Sequence, residues 1–144
     1  MTLTAQDFED PRQIFDRVPF IRLLGLRRVY SEAGRARLQL PARDDLGNVI
    51  GAVHGGVVFT LLDVVMASAA VSQVGFRQTA VTLDISTHYL KPGLGLLTAD
   101  GELLREDQGL AWCQGRVTDA AGELVASAQG CFRYLPLPTL PTAP

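Results

Sequence analysis

Between Asp45 and Arg77 the chain carries one formally charged side chain, Asp63, and one other titratable candidate, His54, followed directly by Gly55 and Gly56. Asp63 sits inside the apolar run VHGGVVFTLLDVVMASAA, from Val53 to Ala70. Burying an unpaired charge costs on the order of several kcal/mol. Aspartate is also a poor mid-helix residue, and no base stands three or four positions away to pair with it. Two readings follow. Either Asp63 caps a turn or pairs with an arginine from elsewhere, or its carboxylate is aimed at a water, as hydrolysis requires.

The neighbouring residues carry a compatible chemistry. Gly55 and Gly56 lack Cβ atoms, so a ligand atom can approach backbone N–H groups that have no partner at a helix start. That end of a helix also carries partial positive charge and can hold a developing oxyanion. Close backbone packing or a bend into the helix explains the glycines equally well. His54 has the chemistry of a base, a metal ligand or a structural hydrogen-bond partner. With His88 the only other histidine and no carboxylate cluster beside either, metal ligation is the poorest of these, and an orienting or capping role is favoured. Asn48, in the loop before the helix, either makes a turn or turns its amide toward a carbonyl oxygen.

Spacing sets a constraint on how these groups cooperate. On one helix His54 and Asp63, nine residues apart, are separated by about 13.5 Å along the axis and about half a turn in phase. They cannot easily meet one small substrate within a single subunit. If both take part, the site is shared between two copies of the chain, and a homodimer is expected from the mechanism itself.

Elements must position these residues. Pro11 to about Leu24 reads as a short covering helix that Pro19 should break or kink. Strands are expected near Leu26 to Ser31 and Arg35 to Leu40, joined by a turn at Glu32 to Gly34. The segment from Gly55 to about Val74 reads as a helix enclosed by other structure and closed by Gly75. Four further strands are expected, at Ala80 to Leu90, Leu94 to Arg105, Leu110 to Asp119 and Glu123 to Tyr134. One all-round apolar helix beside a largely antiparallel sheet implies an α+β domain whose curved sheet of about six strands wraps the helix. The tail LPLPTLPTAP is expected to be extended or disordered, leaving residues 1–135 as one domain and residues 136–144 as the proline-rich tail.

Composition narrows the function classes. The 144 residues suit one domain, and a formal net charge of −2 with no basic stripe argues against nucleic acid. The acidic N-terminus lacks an apolar signal region, and Thr60, Asp63, Ser68 and Ser72 interrupt the long apolar run, so a cytoplasmic, non-membrane protein is expected. Cys113 and Cys131 lack metal-ligand or redox spacing.

The run Asn48-Val-Ile-Gly-Ala-Val-His54-Gly-Gly, followed by Leu61-Leu-Asp63 and then VTLDISTHYLKPG, resembles the hotdog-fold acyl-CoA thioesterases of the phenylacetate-degradation (PaaI) type. The similarity extends roughly from Arg35 to Tyr134. It implies a hotdog fold, edge-to-edge homodimers often doubled to homotetramers, an acyl-CoA or aryl-CoA substrate, and no metal or redox cofactor. It further implies roles at matching positions: Asp63 as general base or nucleophile, the Gly55 amide and the Asn48 side chain polarising the thioester carbonyl, His54 fixing the loop, and Thr82 holding the attacking water. Gly56 would contribute to substrate binding beside Gly55. The competing expectations are an acyl-thioester-binding module without chemistry, and a 3-hydroxyacyl-thioester dehydratase, which His54 followed by two glycines fits poorly.

Overall fold

The computed structural model describes residues 11–137; the N-terminal ten residues and most of the proline-rich tail lie outside the described part. Pro11–Gln13 forms a 3₁₀ turn that leads into α1 (Ile14–Arg17), and α2 (Pro19–Leu24) follows. The single covering helix expected over this stretch is therefore two short ones. Val18 separates them in an extended conformation, with Pro19 at the first turn of α2, because a residue before proline is driven out of the helical region.

Six strands make one antiparallel sheet: β1 (Arg27–Glu32), β2 (Arg35–Leu40), β3 (Gln78–Tyr89), β4 (Leu97–Asp107), β5 (Leu110–Thr118) and β6 (Leu124–Pro136), in the order β1-β2-β4-β5-β6-β3. β4 starts three residues later than the apolar pattern indicates, because Gly95 takes a left-handed conformation (φ 68°) in the turn before it. At its other end β6 runs on through Pro136, just past the boundary drawn for the tail.

Within the curl of this sheet lies α3 (Gly55–Gln73), in contact with every strand. Val58, Leu61, Leu62, Val65, Met66, Ala69 and Ala70 are buried along it, and each fully buried large aliphatic side chain contributes roughly 1.5–3 kcal/mol. Its length and apolar composition would also satisfy a membrane span; here the sheet supplies the apolar surroundings instead. The match between helix and sheet requires close approach. A Cβ on Gly101 of β4 would fall 2.5 Å from the Val65 carbonyl oxygen, and one on Gly115 of β5 would meet Met66 and Leu62 at 3.1 and 3.3 Å. At the far end Ser72 ties the helix to the β1–β2 turn, its Oγ donating to Ala69 O at 2.7 Å and accepting from Gly34 N at 3.0 Å.

The helix is not enclosed all round. Phe59, Thr60 and Asp63 lie on a face that the chain's own sheet leaves partly open, next to β3 at the edge of the sheet. β3 pairs only with β6, so its other edge has no partner among the described residues.

Candidate active site

Asp63 stands two turns into α3, half-buried on the open face, and Thr82 Oγ1 donates to its Oδ1 at 2.6 Å. A local irregularity of β3 produces that contact. Thr82 pairs with Phe132 and Asp84 with Cys131, leaving Leu83 as an extra residue. Ala80 and Ile85 both pack on the core although they are five residues apart. An odd spacing on one strand face is possible only across a one-residue bulge. The bulge lets Thr82 face the helix while the strand beyond it continues in the opposite phase.

At the start of α3 the backbone donors are almost all assigned. His54 is the N-cap; its Nδ1 accepts from Gly56 N at 2.8 Å, and its carbonyl oxygen accepts from Val57 N at 2.9 Å and Val58 N at 3.2 Å. An accepting Nδ1 places the proton of the neutral ring on Nε2. The Gly55 N–H is left as the first-turn amide without a partner among the described residues. Its carbonyl counterpart in the same peptide, that of His54, accepts two helical bonds, and such polarisation strengthens the free N–H as a donor.

Asn48 is oriented by its own loop. Its Oδ1 accepts from Ile50 N at 3.1 Å and Ala52 N at 3.0 Å, and Gly51 turns the chain between them in a left-handed conformation (φ 78°). With the oxygen so engaged, the side-chain NH₂ is the end left to donate elsewhere. Asn48 and Gly55 line one cleft of about 300 Å³ with Ile50, Val58, Tyr89 and Val125. Lys91, also at this cleft, is clamped by Asp119 at 2.9 Å and by Glu123. Its ammonium pKa is raised by its hydrogen bonds to Glu123 and Asp119, and that of Asp119 is lowered chiefly by the bond from Lys91.

The structure thus sorts the expected site residues into two groups: Asp63 with Thr82, and Asn48, His54, Gly55 and Gly56 at the helix start. Gly55 and Asp63 stand eight positions apart on α3, about 12 Å along the axis. A larger groove, about 930 Å³, lies on the sheet face turned away from α3, lined by Arg35, Arg37, His88, Asp100, Gln114 and Arg116. It holds the pairs Arg37–Asp100 at 2.7 Å and Arg35–Glu102 at 3.2 Å but neither group of candidate residues. Cys113 is no nucleophile, since burial pushes its thiol up to about 12. Tyr89 is a contact that the local sequence does not mark: its hydroxyl donates to Gly55 O at 2.9 Å across thirty-four positions of chain.

Comparison with known proteins gives the family and the fold. A model of the thioesterase superfamily matches residues 50–126. A Saccharolobus solfataricus protein that carries an esterase name is 28% identical over 133 residues, covering 88% of this chain and 94% of its own. The structure of a conserved protein from Pseudomonas aeruginosa is 31% identical, with a TM-score of 0.79 over 82% of this chain and 94% of that one. The PaaI protein of the Escherichia coli phenylacetic acid degradation operon shares the fold, with a TM-score of 0.80 at 20% identity over 93% of this chain and 96% of its own.

Proposed function

The chain belongs to the thioesterase superfamily, and from that premise we propose that it hydrolyses an acyl-CoA or aryl-CoA thioester to the free acid and CoA. The observation that carries this reading is Asp63, held by the Thr82 hydroxyl at 2.6 Å on a helix face open to solvent. With Oδ1 engaged, Oδ2 is free to take a proton from water. The water oxygen bonds to the thioester carbon, the C–S bond breaks, and the thiolate leaves and is protonated. In the variant route Asp63 itself attacks, giving a mixed anhydride that water then opens. In either route negative charge develops on the carbonyl oxygen, where the Gly55 N–H and the Asn48 NH₂ donate. Such a donor is worth about 3 kcal/mol in the transition state.

Two protomers assemble that site. β3 is a long edge strand whose Val81 and Leu83 are 41% and 51% exposed, and Phe59 of α3 is 39% exposed; an edge of this kind invites strand pairing. Pairing of β3 with its own copy, antiparallel about a two-fold axis, is the arrangement we propose for the two chains. In that arrangement the site joins Asp63 of one chain to the helix start of the other, which the separation of the two groups along α3 calls for.

The test is release of free thiol from a panel of acyl-CoA and aryl-CoA esters by the wild type and by Asp63→Asn. The expected result is activity in the wild type and a loss of about a hundredfold or more in a folded variant. Binding of CoA esters without hydrolysis by either protein overturns the reading in favour of a thioester-binding module.

A further inference from the structure

The two glycines that begin α3 carry the free amide of the site, yet glycine is the residue least able to hold a backbone still. Part of their hold comes from outside the helix. The Gly55–Gly56 peptide is gripped at both ends: its carbonyl oxygen accepts from Tyr89 Oη at 2.9 Å, and its N–H donates to His54 Nδ1 at 2.8 Å. The preceding peptide carries the unpartnered Gly55 N–H. Tyr89 is itself anchored. It pairs with Ala126 at the end of β3, and the next residue, Leu90, donates from its N to Val125 O at 2.8 Å. Lys91 is clamped to Asp119 and Glu123, and Gly93 O accepts from Val53 N at 2.9 Å, just before the helix. The ring also lies along the glycine, since a Cβ at Gly55 would sit 3.5 Å from Tyr89 Cε1.

We propose that Tyr89 is a positioning residue, whose phenol pins the Gly55–Gly56 peptide and so holds the Gly55 N–H toward the cleft where the thioester oxygen is polarised. The proposal rests on the hydrolase reading for its consequence in rate, but the pinning itself is a property of the folded chain. Desolvation raises the Tyr89 pKa above the ordinary tyrosine value, so the phenol loses its donating proton only in the alkaline range.

Tyr89→Phe keeps the ring and removes only the hydroxyl. The expected result is a kcat about tenfold lower with KM changed less than about twofold, the pattern of an interaction realised in the transition state. The wild-type kcat should fall at alkaline pH as the phenol ionises, and the variant should lack that limb. A variant with wild-type kcat, or one altered in KM alone, overturns the proposal. Incorporation of a ring-fluorinated tyrosine at position 89 serves as a second probe that keeps the packing even if Phe destabilises the fold. Its more acidic phenol should move the alkaline limb to lower pH, and an unmoved limb overturns the proposal. If wild type hydrolyses no thioester, the hydrolase reading fails on its own, and ¹⁵N relaxation of the Gly55 and Gly56 amides decides the pinning. Looser amides in Tyr89→Phe uphold it; unchanged order overturns it.

Discussion

Asp63 is conspicuous in the sequence because nothing charged surrounds it, and in the structure because a hydroxyl from another element reaches it. Thr82 donates to one carboxylate oxygen at 2.6 Å and leaves the other free, so the side chain is oriented while one oxygen stays unengaged. Replacing Thr82 by Val removes the donor at nearly constant shape. Hydrogen bonds to charged groups are worth about 1.5–3 kcal/mol, and the half-exposed setting favours the low end. Thiol-release assays on Thr82→Val should therefore show kcat about tenfold lower, with the fold retained by circular dichroism. An unchanged kcat would remove Thr82 from the site. The carboxylate was legible from its isolation in the sequence, and Thr82 only through resemblance to a family, because a threonine in a strand of VTLDIST carries no local mark. Tyr89 carried none either, since its significance lies in a hydrogen bond to a glycine thirty-four positions away.

At the scale of elements, the site depends on how tightly the sheet closes on α3. Gly101 allows β4 to pass so near the helix that an added methyl would lie 2.5 Å from Val65 O and 3.2 Å from Met66 N. Both are backbone atoms and cannot rotate away. Gly101→Ala should consequently destabilise the protein by about 1–3 kcal/mol, the range for overpacking a well-filled core, measurable as a lower urea midpoint at unchanged m-value. A midpoint equal to that of the wild type would show that helix and strand separate easily. The long helix and most strands follow from apolar pattern and turn residues. Their ends and the bulge at Leu83 do not, because a bulge is fixed by which face of the strand the packed sheet buries, and that depends on β6 and α3 together.

For the whole molecule, the separation of the two groups along α3 makes a sharp distinction between a site within one chain and a site shared by two. Asn48→Asp retains the oxygen that accepts from Ile50 N and Ala52 N and loses the donating NH₂; Asp63→Asn loses the carboxylate. Each variant by itself should be nearly inactive. Co-refolding equal amounts gives heterodimers in about half of the pairs, each with one intact site of two, so about a quarter of wild-type activity should return. Activity no greater than the sum of the two inactive variants would place all of the chemistry within one protomer.

By itself the sequence determined the α+β class, the central helix, the isolation of Asp63 and the glycine pair at the helix start, because hydrophobic periodicity and turn chemistry are local properties. The half-turn between His54 and Asp63 is equally local, since helix geometry fixes it once the helix is granted. Tertiary structure alone decided that Thr82 meets Asp63, that Tyr89 holds Gly55, and that Asn48 presents its NH₂ rather than its oxygen. Each of those contacts joins elements brought together by core packing, or a side chain to a loop conformation, and neither a bulge nor a hydrogen bond across tens of residues leaves a periodic trace in the chain.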